Sequence, residues 1–144
     1  MIISSCLGNY GRLGNQMFQY ATAYAIAKKH DTTVAISSKD AYYPDNQCNQ
    51  LVETFELPHA ILDNFGGITS HYNEPGFSYD PTVQNLPNGV DIRGYFQSEK
   101  YFQHIRFELL NKEFAFKPHV KTKGEICLSH FKTKKFLCSV HVRF

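Results

Sequence analysis

The order of apolar and polar residues over the first forty positions predicts a strand, a loop, a helix and a second strand. Residues 1–7 are apolar and compatible with a strand, and glycines at positions 8, 11 and 14 then predict a turn. From Asn15 the apolar residues recur at helical spacing, and Asn15 itself is a suitable N-cap. The β-branched run at 32–36 predicts the next strand, so the opening predicts a right-handed βαβ unit.

The rest of the chain continues this alternation after a long interruption. Residues 37–88 are rich in Asn, Asp, Pro, Gly and Tyr, and we interpret them as an irregular insertion with a short helix near 49–57. Residues 90–96 alternate like a strand, and apolar residues at helical spacing predict a helix over 98–114. The lysine-rich residues 117–135 are expected to be a solvated helix face or a linker. Residues 136–142 predict a last strand, which makes the fold class α/β.

Composition narrows the possible functions. The 144 residues fit one domain, and 15 Lys+Arg against 13 Asp+Glu give no general attraction for nucleic acid. No apolar run approaches the roughly 20 residues that cross a bilayer, and no signal-like segment is present. The expected location is therefore cytoplasmic, with peripheral membrane contact as the alternative. The four cysteines, without C-x-x-C or metal-binding spacing, predict reduced thiols and no metal site.

The glycine-rich loop at 8–16 is the first segment with candidate chemistry. It would lie at the carboxyl end of a strand, where Arg12 offers a fork of donors and the following helix offers free N–H groups. The glycines are spaced G-x-x-G-x-x-G, and Ser37 and Ser38 stand where a dinucleotide site has an acidic residue. The loop therefore favours a phosphate or sugar hydroxyls, with a purely geometric turn as the alternative.

Two further segments follow predicted strands. In 94–102, Gly94 allows close approach, Gln97 can donate and accept, and the aromatic residues could line a sugar pocket or be plain core. Near the end, His141 and Arg143 would point to the same side of a strand and could clamp a diphosphate.

Taken together, these segments resemble the α-1,2-fucosyltransferases of glycosyltransferase family 11. The resemblance is carried by GRLGNQMFQYA at 11–21, GYFQSEKYF at 94–102 and an H-x-R remnant at 141–143, in that order, with NEPGFSYDP at 73–81 similar to the family's middle segment. It covers nearly the whole chain, and the eleven-residue first motif is highly specific.

The resemblance implies transfer of L-fucose from GDP-fucose to the 2-hydroxyl of a terminal galactose-type acceptor, with inversion and without a metal or other cofactor. It implies a Rossmann-like parallel sheet with flanking helices, as the N-terminal half of a two-domain GT-B-type glycosyltransferase. Arg12 and Asn15 would be the catalytic contacts to phosphate and fucose. The implied substrate-binding residues are Gly11, Gly14, Gln16, Tyr95, Gln97, His141 and Arg143.

The resemblance breaks at the last residue. Where the family has a second arginine, a glycine and an aspartate, this sequence has Phe144. We therefore expect residues 1–144 to be one acceptor-side domain whose partner is a missing C-terminal donor-binding domain, with little transferase activity alone. Glu74, Asp80 and Asp91 remain open as general base, and solvation at the protein surface is the simpler interpretation of each carboxylate. The alternatives are a non-catalytic glycan-binding module that uses the Tyr- and Asn-rich middle, or a domain that does not fold stably.

Overall fold

The computed structural model of the chain describes residues 1–38 and 49–131, together with residues 138, 140 and 142. A parallel sheet is formed by β1 (Ile2–Ser4), β2 (Val34–Ile36), β3 (Ala60–Leu62), β4 (Ser70–Asn73) and β5 (Val90–Arg93). Its strand order is β3-β2-β1-β5-β4, so β1 occupies the centre. The predicted α/β class and Rossmann-like parallel sheet are thereby confirmed.

Helix α1 (Leu13–Lys29) forms the main helical layer against this sheet. Its ten buried residues pack with the buried side chains of the strands into one core. The helix begins at Leu13, two residues before the predicted start, because the Leu13 N–H donates to Gln50 Oε1 at 2.9 Å. This acceptor belongs to α2 (Gln50–Thr54), so the cap is tertiary and Asn15 lies inside the first turn.

The interpretation of 37–88 as an irregular insertion is wrong for the part that the structure describes. Residues 49–88 contribute α2, near its predicted position, together with β3, β4 and a 3₁₀ helix at Pro81–Asn85. Both strands lie at the edges of the sheet and have few buried side chains. Short edge strands of this kind carry little hydrophobic alternation, so their sequence gives no strong strand signal.

The segment after β5 is helical, as predicted, but it is not one regular helix. It consists of 3₁₀ turns at Glu99–Tyr101 and Gln103–Ile105, α3 (Arg106–Glu108) and a π turn at Leu109–Glu113. Its buried side chains, Tyr101, Ile105, Leu109 and Glu113, recur every four residues. Because an α-helix repeats every 3.6 residues, a wider π turn keeps Glu113 on the buried face.

The lysine-rich region forms α4 (Pro118–Ser129), and none of its residues is buried. This confirms the expected solvated helix for the described part of that region. The predicted strand at 136–142 lies largely outside the described residues. Across the described ranges, no helix combines the length and apolar character needed to cross a membrane.

Candidate functional site

The two motif loops leave the sheet at the same place. β1 pairs in parallel with β2 on one side and with β5 on the other, so β1 and β5 both end at one edge of the sheet, its carboxyl edge. Open parallel sheets bind ligands at this edge, beyond the carboxyl ends of their strands. Residues 5–12 follow β1 here, and residues 94–98 follow β5.

A hydrogen bond joins the two loops directly. Gln97 Nε2 donates to Asn15 Oδ1 at 2.6 Å, although 82 residues separate them in sequence. The rings of Tyr10 and Tyr95 meet edge to face, with centroids 5.5 Å apart. Arg12 is exposed at the start of α1. The structure therefore brings together Arg12, Asn15, Tyr95 and Gln97, four of the residues singled out in the sequence.

The two glycines of the first motif have different structural requirements. Gly11 has φ +97°, and a Cβ there would lie 2.0 Å from Asn15 Nδ2, so only glycine fits. Gly14 is exposed in the first turn of α1, and a Cβ there would meet nothing within 4 Å. Gly11 thus shapes the loop, whereas nothing in the fold requires glycine at position 14.

Gln16 has a structural task in this geometry. Its side chain is fully buried, and Nε2 donates to the Gly11 carbonyl oxygen at 3.4 Å. Its Oε1 accepts the Leu51 N–H at 3.0 Å, which ties α1 to α2. The buried position of Gln16 therefore does not favour its predicted contact with substrate.

Glu74 fixes the turn that carries the second motif. Its Oε2 accepts the backbone N–H groups of Tyr95 at 2.7 Å and Phe96 at 2.9 Å. Gly94 has φ +154°, and a Cβ there would lie 2.4 Å from Glu74 Cβ. Phe96 is buried with φ +52°, a strained conformation that surrounding contacts must maintain. Glu74 thereby holds the backbone from which Tyr95 and Gln97 project.

All three candidate bases accept hydrogen bonds from the protein. Asp80 accepts from the Tyr72 hydroxyl at 2.6 Å and from Thr82, and these bonds lower the pKa of its carboxyl. Glu74 is engaged as described above. Asp91 is completely buried, which corrects the interpretation of this carboxylate as a solvated surface group. The general base stays open.

Asp91, the second residue of β5, links three strands of the sheet. Its oxygens accept the Ser5 N–H at 3.0 Å and the Ser5 hydroxyl at 2.8 Å. The same carboxylate lies 2.9 Å from Arg93 Nη2 and 3.3 Å from His71 Nδ1. Nearby, burial and the charge of Asp91 raise the pKa of the Cys6 thiol to about 11. Cys6 is therefore a protonated thiol at neutral pH and a weak nucleophile.

Two aromatic residues at the carboxyl edge of the sheet were not predicted as site residues from the sequence. Phe77 is 71% exposed, and its ring centroid lies 5.6 Å from that of Tyr95. Tyr10 contacts the other side of the pair, as noted above. Phe77 lies within the NEPGFSYDP segment, so the resemblance of that segment was the available signal. His141 and Arg143 lie outside the described residues, and their assignments stay predictions.

A cavity of about 400 Å³ opens beside the site, between α1 and residues 99–114. Its walls are mainly apolar and include Met17, Phe18 and Phe102. Phe18 lies three residues, less than one helical turn, beyond Asn15. The cavity therefore lies next to the joined loops, but Arg12, Asn15 and Gln97 do not line it.

The chain is similar to known galactoside fucosyltransferases over most of its own length. Galactoside alpha-(1,2)-fucosyltransferase 2 of Hylobates lar is 30% identical over 118 residues, covering 80% of this chain. The enzymes of that name from Oryctolagus cuniculus and Mus musculus are 28% and 27% identical over 144 residues, covering 92% and 95% of the chain. The chain is related to the α-1,2-fucosyltransferases. The resemblance carried by the motifs is thus confirmed.

The similarity covers most of this chain but only part of those enzymes. The chain spans about a third of their length, with 32%, 37% and 39% covered in the three cases. No family model matches the chain, and no solved structure matches it significantly. Over residues 1–38, 49–131 and the three further described positions, no group of three or more His, Cys, Asp or Glu residues could hold a metal ion.

Proposed function

We propose that this chain forms one wall of a fucosyltransferase site that moves L-fucose from GDP-fucose to the 2-hydroxyl of a terminal galactose-type acceptor, with inversion. The observation that carries the proposal is the 2.6 Å hydrogen bond between Asn15 and Gln97. It joins the two motifs that resemble those of fucosyltransferases, at the carboxyl ends of the neighbouring strands β1 and β5.

The chemistry of fucosyl transfer explains the assigned roles. As the glycosidic bond breaks, negative charge grows on the departing diphosphate and the sugar becomes oxocarbenium-like. Arg12 offers a guanidinium fork for the phosphate oxygens, and it stands at the N-terminus of the 17-residue helix α1. Asn15, in the first turn of that helix, contacts the fucose in this proposal, while Gln97 and Tyr95 border the acceptor side.

The proposal includes a second Rossmann-like domain that faces this edge and holds the nucleotide, in a GT-B arrangement. In that arrangement His141 and Arg143 contribute to the donor diphosphate, and arginines replace a metal in neutralising its charge. The relatives' greater length supports this part, because the chain spans about a third of each of them.

Ligand contact and transfer together test the proposal. GDP-fucose is titrated against the chain by saturation-transfer NMR, and a β-galactoside is then added and the mixture analysed by mass spectrometry. We expect contact to the diphosphate and fucosyl groups that is lost in Arg12→Ala and kept in Arg106→Ala, an exposed arginine in another region. Transfer by the chain alone is expected to be low. Equal contact in both variants, or none in the wild type, contradicts the proposal.

A second candidate function is glycan binding without transfer. It is favoured by the aromatic rings of Tyr10, Tyr95 and Phe77 at the carboxyl edge, since such rings can bind a sugar without any nucleotide. Galactoside binding by a wild-type chain that shows no contact with GDP-fucose would favour this candidate over transfer.

A further inference from the structure

Three aromatic rings form a continuous row at the carboxyl edge, which we call the edge cluster: Tyr10, Tyr95 and Phe77. The ring of Tyr95 lies in the middle, 5.5 Å from Tyr10 and 5.6 Å from Phe77 between centroids. The row joins the loop after β1, the loop after β5 and the segment after β4. It therefore lies at the carboxyl ends of the same neighbouring strands as the bond between Asn15 and Gln97.

One ring of the edge cluster, that of Phe77, is far more exposed than the aromatic rings of the core. Phe96 and Tyr101, which also contact each other, are 1% exposed and belong to the core. Phe77 is 71% exposed although it lies against Tyr95. Leaving a large apolar ring in water is unfavourable, so packing of the core does not account for Phe77.

The backbone beneath the edge cluster is fixed on both sides. The Tyr95 N–H donates to Glu74, as described above, which holds its turn. The Tyr10 carbonyl oxygen accepts from Nε2 of Gln19, a buried side chain of α1, at 3.0 Å. The two tyrosine rings are therefore presented on a preorganised surface, which reduces the entropy cost of binding a ligand.

Polar groups stand beside the aromatic rings. The amides of Asn15 and Gln97 are adjacent to the Tyr95 loop and are joined to each other at 2.6 Å. A pyranose has apolar C–H faces that stack on aromatic rings and hydroxyl groups around its rim that need hydrogen-bond partners. In a galactoside the hydrogens on C3, C4 and C5 form such a face, while the equatorial 2-hydroxyl stays at the rim.

We propose that the edge cluster is the subsite for the galactose ring of the acceptor. The ring stacks on Phe77 and Tyr95 with its apolar face, so that the 2-hydroxyl points towards the amides of Asn15 and Gln97. The choice of a galactoside rests on the proposed function. The binding surface itself follows from the exposure of Phe77, the row of rings and the adjacent amides.

Titration of methyl β-galactopyranoside tests this subsite, with affinity measured by saturation-transfer NMR on the wild type and four variants. Phe77→Ala and Tyr95→Ala are expected to weaken binding about tenfold, a change of about 1.4 kcal/mol, because each removes a stacking face. Tyr95→Phe keeps the ring and should bind within about twofold of the wild type. Phe107→Ala removes another exposed ring, at 80% exposure, and should bind unchanged.

The result for the galactose subsite can be distinguished from the result for the proposed function. Urea midpoints show that each variant remains folded, and GDP-fucose contact is measured on the same samples. If the wild type does not bind the galactoside, or if Phe77→Ala binds as well as Phe107→Ala, the subsite is disproved. If the expected pattern appears without any contact to GDP-fucose, the subsite stands and the transfer proposal fails.

Discussion

Among the residues that the structure describes, two side-chain carboxylates are completely buried, and they lie in different parts of the molecule. Asp91 stands within β5 of the sheet, and Glu113 stands in the π turn of the helical layer. Asp91 has partners on three strands or their loops, including the cation Arg93. Glu113 accepts from the Tyr20 hydroxyl at 2.5 Å and lies 2.6 Å from His59 Nδ1.

The two carboxylates differ in what happens to their hydrogen-bond partners when the carboxylate is removed. Arg93 and His71 both reach solvent, so loss of Asp91 leaves them hydrated. Tyr20 is 0% exposed, so loss of Glu113 leaves a buried hydroxyl without its acceptor. Burial and this bond to Glu113 raise the pKa of Tyr20 well above its usual range. Glu113 therefore secures the core, whereas Asp91 mainly aligns the strands under the site.

Replacing Glu113 should produce the largest loss of stability. Glu113→Ala is expected to lower the free energy of unfolding by about 4 kcal/mol, because it breaks a buried polar network. Urea denaturation measures this loss. Glu108→Ala is the matched control: it removes the exposed contact to Lys28 and the bond to Tyr24, and should cost less than about 1 kcal/mol. Similar losses in the two variants would contradict the assigned role of Glu113.

Asp91→Asn should have an intermediate effect, about 2 kcal/mol in the free energy of unfolding. The amide can still accept the Ser5 N–H, but its NH₂ group faces Arg93, another donor. Urea denaturation again measures the loss, and hydrogen exchange of the Ser5 amide reports the local effect. A loss greater than that of Glu113→Ala would reverse the comparison.

Replacing each glycine of the first motif by alanine tests the packing of the loop after β1, because each change adds a single Cβ atom. Gly11→Ala should destabilise the chain by about 1.5 kcal/mol, because its φ of +97° is strained for alanine and its Cβ meets Asn15. Gly14→Ala should be neutral or slightly stabilising, since glycine is a poor helix residue and a Cβ there meets nothing. Thermal unfolding of the pair measures the contrast. Equal shifts in melting temperature would show that the Gly11 contact is unimportant.

The smallest expected effect concerns Cys6 at alkaline pH. The pKa of Cys6 is raised from 9.0 to about 11, so the fold favours its protonated form. Its contribution to stability is fully present below pH 9 and is lost as pH rises through 11. Iodoacetamide labelling followed by mass spectrometry should show Cys6 reacting at higher pH than the exposed Cys127. In Asp91→Asn the labelling of Cys6 should move to lower pH, and an unchanged profile would contradict a role for the Asp91 charge.

The opening βαβ unit could be predicted from sequence because its signals are local. Glycines at 8, 11 and 14 and the helical spacing that follows set the loop and α1. The edge strands β3 and β4 could not be predicted, because they are formed by pairing with β2 and β5 and their own sequences show no strong strand pattern. The same reason explains the early start of α1, whose first N–H is bonded to Gln50.

For the candidate site, residue types and their spacing predict a glycine-rich loop with Arg12 and Asn15 and a second motif with Tyr95 and Gln97. The fold adds that Asn15 bonds to Gln97, that Gln16 is buried, and that Phe77 joins the row of rings. The two sets of features differ in the sequence separation of the residues that they involve. Residue type and spacing fix turns and helix faces, but contacts across 82 residues depend on strand order, which the packing of the whole sheet selects.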